Sequence, residues 1–423
     1  MLKVTHITLD NGLKVVVSPT ENPSVVCCLR GFGGSNYEHK NEIGTAHTLE
    51  HLITYGTANF PNKYEYRNLV TEKGGKITGT TDREDVAFLT KTLLSDYKKG
   101  LLFLSEIFKD PLFNVNDLKI VKENIKHEIL LNREIPSNHL LRCSYKILYP
   151  KQRFEILNTG FIKHVNQQSV KKIYTFYKRL YHPQNFALAI CGNVQIDEIV
   201  EYLSELLPNE ITGKPAITKF HRKTRAFAQQ TLIRDLKQLH IKIDYYGYKS
   251  SQKEKYAAYF IAKVLETRLK KELSYKQQIP TYVLQTSSFS TNTYGVFSTY
   301  IAIKIADYAK FVKYYCMIID KLSNKEIYME EFIKLKHKIY ANIIFELEKT
   351  SRRASFLSEL YLHEQVTRDL NKEVSNYRNI SLDKIGKVLK ELFTQKPKVS
   401  ILGNGLTAIE NERIWKTYLH LDI

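Results

Sequence analysis

The chain has 423 residues, 63 of them Lys or Arg and 44 Asp or Glu, for a formal charge of +19. At roughly 150 residues per domain the length predicts two domains, or three. A hydrophobic share of 43%, a charged share of 25%, 18 Gly and 11 Pro describe a globular chain and exclude collagen-like or linker-dominated architecture. Five cysteines (Cys27, Cys28, Cys143, Cys191, Cys316) are odd in number and contain no CxxC pair. That usage argues for buried structural thiols in a reducing compartment and against a disulfide framework. The N-terminus lacks a basic-then-apolar signal layout, and no apolar run approaches the ~18 residues of a membrane span. A cytoplasmic location is the expectation.

Chain order shows strand-like and helix-like stretches alternating. Leu13–Ser18 and Val25–Gly31 are β-rich and bounded by Asn-Gly, Pro and Gly-Phe-Gly-Gly. A helix is predicted over Ile43–Tyr55, with Gly56 placed to stop it. Asp85–Lys91 reads as a strand, Leu93–Phe108 and Asn116–Arg133 as helices, Asn185–Cys191 as a buried strand and Asp197–Leu207 as a helix. In the second half, Gln229–Ile233 and Ile241–Tyr246 read as strands and Gln252–Leu273 as a long helix. Strands follow at Tyr282–Ser287 and Gly295–Ala302, then helices at Ile305–Leu322, Glu330–Glu348 and Leu382–Phe393. The closing Lys398-Val399-Ser400-Ile401-Leu402-Gly403-Asn404 echoes Ala187-Leu188-Ala189-Ile190-Cys191-Gly192-Asn193. Gly192 and Gly403 stand 211 residues apart, half the chain, which argues for a duplicated α+β domain. The expected division is 1–210, a linker at 211–225 where Pro, Gly, Lys and Thr gather, and 226–423.

The sharpest chemistry lies in His47-Thr48-Leu49-Glu50-His51. On a helix, positions i and i+4 share a face, so His47 and His51 can aim imidazole nitrogens at one ion. Glu50 joins that face beside the metal, the arrangement of the inverted zincin motif HxxEH, with two zinc ligands and a base for the attacking water. A catalytic site needs a third ligand so that the fourth position can hold water. In Asn116–Arg133 the apolar stripe runs through Leu118, Val121 and Ile125, and Glu128 falls seven residues after Val121 on the same face. A carboxylate there is costly unless paired or metal-bound; an edge Glu paired with Lys or Arg is the plainer alternative. Glu123 and His127 compete for the role but point away from this face.

His47–His51 with Glu128 77 residues after His51 resembles the pitrilysin/insulinase family of zinc peptidases. Flanking residues share the likeness: Gly33-Gly34-Ser35-Asn36-Tyr37-Glu38, Gly44-Thr45-Ala46, Tyr55-Gly56-Thr57, Gly74-Gly75 and Tyr181-His182-Pro183-Gln184-Asn185. In the second half it continues more loosely through Lys263–Leu269 and Phe332–Lys338. The resemblance implies two homologous α+β domains, each a mainly antiparallel sheet packed with helices, together half of a clamshell that encloses unfolded peptides. It implies zinc on His47, His51 and Glu128, with Glu50 as the base. A chain of two domains would need a homologous subunit to close the chamber.

Three positions depart from the family pattern. Val121 stands where many members carry a second Glu. The substrate-pairing edge strand reads Lys76-Ile77-Thr78-Gly79-Thr80-Thr81 in place of an Asn-Ala sequence, leaving Thr78, Gly79 and Thr80 as the expected backbone contacts to peptide. Glu272-Leu273-Ser274-Tyr275 lacks the Arg that normally precedes a substrate-facing Tyr, here Tyr282. The resulting expectation is a heterodimer in which a related partner supplies the Arg/Tyr pair, a homodimer being the lesser alternative. The leading functional expectation is a zinc endopeptidase subunit, with leader-peptide processing as one form of it. A non-catalytic scaffold subunit is the first rival.

The +19 charge suggests nucleic acid as a second rival. Its basic residues, however, are dispersed among acidic ones, in clusters no longer than Lys98-Lys99, Lys171-Lys172 and Lys270-Lys271, with no nucleic-acid motif. A solvated lysine-rich surface is the plain reading, and attraction of an acidic peptide the next. His139, His164, His240 and His363 have no ligand spacing and are expected to be structural or at the surface.

Overall fold

The structure, a computed structural model, describes residues 3–207, 226–281, 283–363 and 370–419. The expected linker at 211–225 lies outside the described residues. Among the described residues eleven strands form two sheets, β1 (Thr5–Thr8) through β6 (Phe186–Gly192) in one and β7 (Ala228–Ile233) through β11 (Lys398–Gly403) in the other. Between them in sequence are β2 (Lys14–Pro19), β3 (Ser24–Phe32), β4 (Lys76–Thr81), β5 (Asp85–Leu93), β8 (Leu239–Tyr246), β9 (Val283–Ser290) and β10 (Gly295–Ile303).

The first sheet has the order β1-β2-β6-β3-β5-β4 and the second β7-β11-β8-β10-β9. With β1 set aside the two orders coincide. In each, the strand ending on the echoed glycine sits second: β6 pairs parallel with β2 and antiparallel with β3, as β11 does with β7 and β8. All other pairings are antiparallel. The sequence echo of Gly192 and Gly403 is thus a topological repeat, and the fold is two α+β domains of one design.

Chain segments sort into two compact units. The first comprises 1–130, 157–218 and 342–374; the second comprises 131–156, 219–341 and 375–423. In the first, Val15, Val17, Val25, Cys27, Leu29, Val86 and Phe88 point from the sheet into a core shared with Leu49, Leu101, Phe103, Phe176 and Leu180 of the helices. The other face of β3 and β6 carries the helix Thr350–His363. In the second unit the helix Pro136–Leu148 packs on β8 and β11, and Tyr308, Phe311, Tyr315 and Trp415 fill the opposite side. All five cysteines are free, with Cys27, Cys28 and Cys191 fully buried on the first sheet. Among the described residues no helix is long and apolar enough to cross a membrane.

Four predicted helices break at their ends, among them Ile305–Leu322, which opens with a 3-10 turn at Ile305–Asp307 before the α-helix Tyr308–Ser323. Leu93–Phe108 begins in strand β5, passes through a 3-10 turn at Leu94–Asp96, and is α-helical only over Tyr97–Ser105 before a second 3-10 turn. Gln252–Leu273 becomes Glu254–Lys270 followed by a π-helical turn at Lys271–Lys276. Ile43–Tyr55 shrinks to Thr45–Leu52 because Gly44 lies at φ +83°, outside helical space. The helices Lys63–Thr71, Pro136–Leu148, Ile162–Asn166, Val170–Leu180, Thr350–His363, Leu370–Arg378 and Ala408–Leu419 are additional to those read from the sequence.

Thr350–His363 is seated by charge. Arg30 on β3 is ion-paired with Asp85 on β5 and donates to Ser355 (2.9 Å) and Ser358 (3.2 Å) of the helix, while His363 Nε2 lies 3.3 Å from Asp85. Burial works against the Asp85 carboxylate, but Arg30 and His363 outweigh it and hold the carboxyl below its ordinary range. A depressed carboxyl stabilises above the unfolded pKa near 4, and that stability is lost as pH falls through the lower folded value. Arg30→Ala, which strands a buried carboxylate, should cost about 3 kcal/mol at pH 7. In thermal unfolding the gap between variant and parent should narrow on acidification below about pH 4.

Candidate metal centre

The helix Thr45–Leu52 lacks a side-chain N-cap of its own, since Gly44 occupies that position. Glu38 takes over: its carboxylate accepts from the Gly44 N–H (3.1 Å) and the Ala46 N–H (2.8 Å), while itself buried. A negative charge on these orphan donors is favoured by both hydrogen bonding and the helix dipole. Gln168 bonds the same turn twice, donating to Ile43 O (2.8 Å) and accepting from Thr45 Oγ1 (2.9 Å). Arg179 holds the preceding loop through Glu42 (2.7 Å) and Tyr37 O (2.9 Å). Gly44 is required twice over, by its positive φ and because a Cβ there would stand 2.8 Å from Thr159 O.

With its start held and Ala46, Leu49 and Leu52 sunk in the core, the helix turns His47, Glu50 and His51 to one side. Glu128 reaches them from the helix Val115–Glu134, anchored by fully or almost fully buried Leu118, Val121, Ile125 and Ile129. Its Oε2 lies 3.1 Å from His47 Nε2 and 3.7 Å from His51 Nε2, and the two Nε2 atoms are 3.2 Å apart. Two ligands bonded at 2.0–2.1 Å around a tetrahedral ion stand about 3.3 Å apart. The three atoms therefore form a triangle of the size that a tetrahedral zinc ion requires, and a neutral-imidazole, carboxylate donor set suits that ion. Hydrogen bonds from His47 and His51 draw the Glu128 carboxyl well below the usual range, against partial burial. For His51, burial opposes the charged ring, but the Glu128 hydrogen bond and the nearby carboxylates prevail and raise its pKa.

Glu50 sits beside this triangle. Its Oε2 lies 3.5 Å from His47 Nδ1 and accepts from Thr81 Oγ1 at 3.3 Å. A Cβ built on Gly79 would fall 2.0 Å from Glu50 Oε1, so edge strand β4 presses its backbone onto the carboxylate. Gly79 thus belongs to the site; Thr78 and Thr80 are on the same strand but turn to its other face. Tyr282 lies outside the described residues.

Glu123 is exposed and paired with Lys126 (2.7 Å), His127 is exposed, and neither joins the cluster. Val121 is wholly buried, so no carboxylate backs the ligands from that position. Ser274 is on the π-helical turn, hydrogen-bonded to Thr281. Sequence reasoning did not identify Glu38 or Thr81 as parts of the site. Glu38 stands six residues before Gly44, outside any capping-box spacing, and Thr81 becomes significant only through strand placement.

A two-histidine, two-carboxylate cluster on an α+β domain of this topology defines a metallopeptidase-type domain. The insulinase (peptidase family M16) profile matches residues 15–156 and the peptidase M16 inactive domain profile residues 168–339. The chain belongs to peptidase family M16. An uncharacterized zinc protease of Rickettsia felis is 23% identical over 84% of this chain and 86% of its own. An insulin-degrading enzyme homolog of Dictyostelium discoideum is 25% identical over 48% of this chain, which spans 21% of that larger protein. A protease from Helicobacter pylori of known structure superposes with a TM-score of 0.84 at 20% identity, covering 95% of this chain and 100% of the other.

Glu38→Ala should remove two charge-assisted hydrogen bonds at the helix start and cost about 2 kcal/mol. It should also weaken metal binding, because frayed first-turn residues no longer hold His47 in place. Isothermal titration with zinc alongside thermal unfolding checks both effects.

Proposed function

We propose that the chain is a zinc-dependent peptidase subunit that hydrolyses bonds in extended peptides. The observation that carries this reading is Glu50, poised between a ligand triangle of zinc dimensions and a free sheet edge on which a peptide backbone can lie. His47, His51 and Glu128 would hold the ion. Zinc, when bound, supplies Lewis acidity and a water that is nucleophilic near neutral pH. Glu50 takes the proton of the attacking water and later delivers it to the leaving amine nitrogen. Thr81 Oγ1 and the Gly79 backbone keep the Glu50 carboxylate turned toward that position. Strand β4 receives the substrate by backbone pairing, with contacts along Thr78, Gly79 and Thr80.

The reading extends to a cytoplasmic heterodimer in which a homologous subunit completes a closed chamber and contributes an Arg/Tyr pair. The absence of an Arg at Ser274 supports that division of labour. Leader-peptide removal is one form of this activity that the family likeness suggests.

Glu50→Gln should retain about one zinc per chain yet lose hydrolysis by three orders of magnitude or so, as expected when a general base is removed along with its charge. Mass-spectrometric metal analysis and cleavage of a peptide library, with and without the partner, measure the two quantities. Persistent cleavage by that variant sinks the assignment. In a second comparison, Glu128→Ala should lose zinc by at least about tenfold while Glu123→Ala keeps it. Gly79→Val should leave zinc content and melting temperature close to the parent and reduce cleavage about tenfold or more by displacing the carboxylate.

A further inference from the structure

Beside the start of β4, on the sheet face away from Glu50, lies an open pocket of about 780 Å³. Its charged walls are Lys76, Lys91, Lys349 and Arg352, against one carboxylate, Glu348. Glu346 engages Lys349 and Arg352. Lys76 and Lys91 are different. They are register partners on adjacent strands, both exposed, and among the described residues neither has an acidic partner. Like charges directly opposite each other across a ladder are destabilising. Such a pair is a standing demand for an anion from outside.

The geometry says where that anion comes from. Strand β4 ends the first sheet, and its outer edge has no strand partner among the described residues. Side chains of a peptide paired there alternate between the two faces. Those over Gly79 and Thr81 turn toward Glu50; those over Lys76 and Thr78 turn toward the pocket. Lys76 is three residues from Gly79, roughly 10 Å along the strand.

We propose that this pocket is a specificity subsite for an acidic side chain of the peptide substrate, held between Lys76 and Lys91. The inference rests on the peptidase reading for the peptide's place on β4. It assigns the substrate class: peptides with Asp or Glu at one position about three residues from the residue lying over Gly79. Thr78 and Thr350 border the same pocket and offer hydroxyls to the bound carboxylate.

The test measures binding apart from hydrolysis. Fluorescent, C-terminally amidated peptides scanned with Glu, Gln and Lys at each position are titrated against the full-length, zinc-loaded Glu50→Gln chain. At low ionic strength Glu should bind about three- to tenfold tighter than Gln at a single position, with Lys weakest, and the preference should collapse in high salt. In Lys76→Glu/Lys91→Glu, checked for zinc content and melting temperature, the ranking at that position should invert to favour Lys. A flat Glu scan in the chain with native lysines, or an unchanged ranking in the reversed variant, overturns the proposal. Cleavage of the same peptides by the parent chain, with and without the partner, is scored separately. Lysine-dependent binding without cleavage in either state would defeat the peptidase reading and leave the subsite standing, whereas cleavage with a flat scan would defeat the subsite alone.

Discussion

Everything chemical in this protein depends on how one short helix starts. Thr45–Leu52 spans eight residues, little more than two turns, and cannot hold its own orientation in isolation. A buried carboxylate, Glu38, accepts from two of its first amides, and Gln168 and Arg179 secure the loop that leads into it. Each residue of a helix advances the face by about 100°. A one-residue slip would carry His47 and His51 off the side where Glu128 arrives and destroy the 3.1 and 3.2 Å contacts of the triangle. The histidine–carboxylate triangle is therefore preorganised from behind, by charge and hydrogen bonds that lie outside it.

The duplicated design places a histidine–carboxylate cluster in one copy of the fold and not in the other. In the first unit, the helix between β3 and β4 sets Glu50 against Gly79 and Thr81 of the edge strand. In the second, the helix Glu254–Lys270 lies between β8 and β9, and Glu266 accepts from the Thr286 N–H of the matching edge strand at 3.1 Å. Glu266 is also paired with Lys270 and Lys263, and that helix contains no histidine. The same carboxylate-on-edge-strand contact stands beside a pair of imidazoles in one place and is a structural tie in the other. What differs is the pair of imidazoles and the freedom of the carboxylate from lysine.

Legibility followed locality. The helical spacing of His47, Glu50 and His51 could be read because three residues on one turn define their own geometry. Glu128 could be read as a candidate because its stripe of Leu118, Val121 and Ile125 has helical period, and family likeness singled it out. The helix Thr350–His363 could not, because Arg353, Ser355 and Ser358 look like a solvated face. They are instead buried or half-buried against the sheet, where Arg30 supplies hydrogen bonds to Ser355 and Ser358. Pro136–Leu148 was equally hidden, since nothing in its own pattern announces β8 and β11 as the strands it covers.

By itself, the sequence determined the class of each half, the strand that closes each domain on Gly192 and Gly403, and the shared face of His47, Glu50 and His51, with Glu128 a candidate that family likeness singled out. These follow from periodicity, turn residues and motif spacing, which are local and survive without knowledge of the rest. Tertiary structure alone decided that Glu38 caps the helix of His47 and His51, that Gly79 touches Glu50, and that Lys76 and Lys91 face each other with no acidic partner among the described residues. Each of these joins residues whose separation in sequence carries no signal. Strand register and helix docking, which arise only when the core packs, bring them within contact.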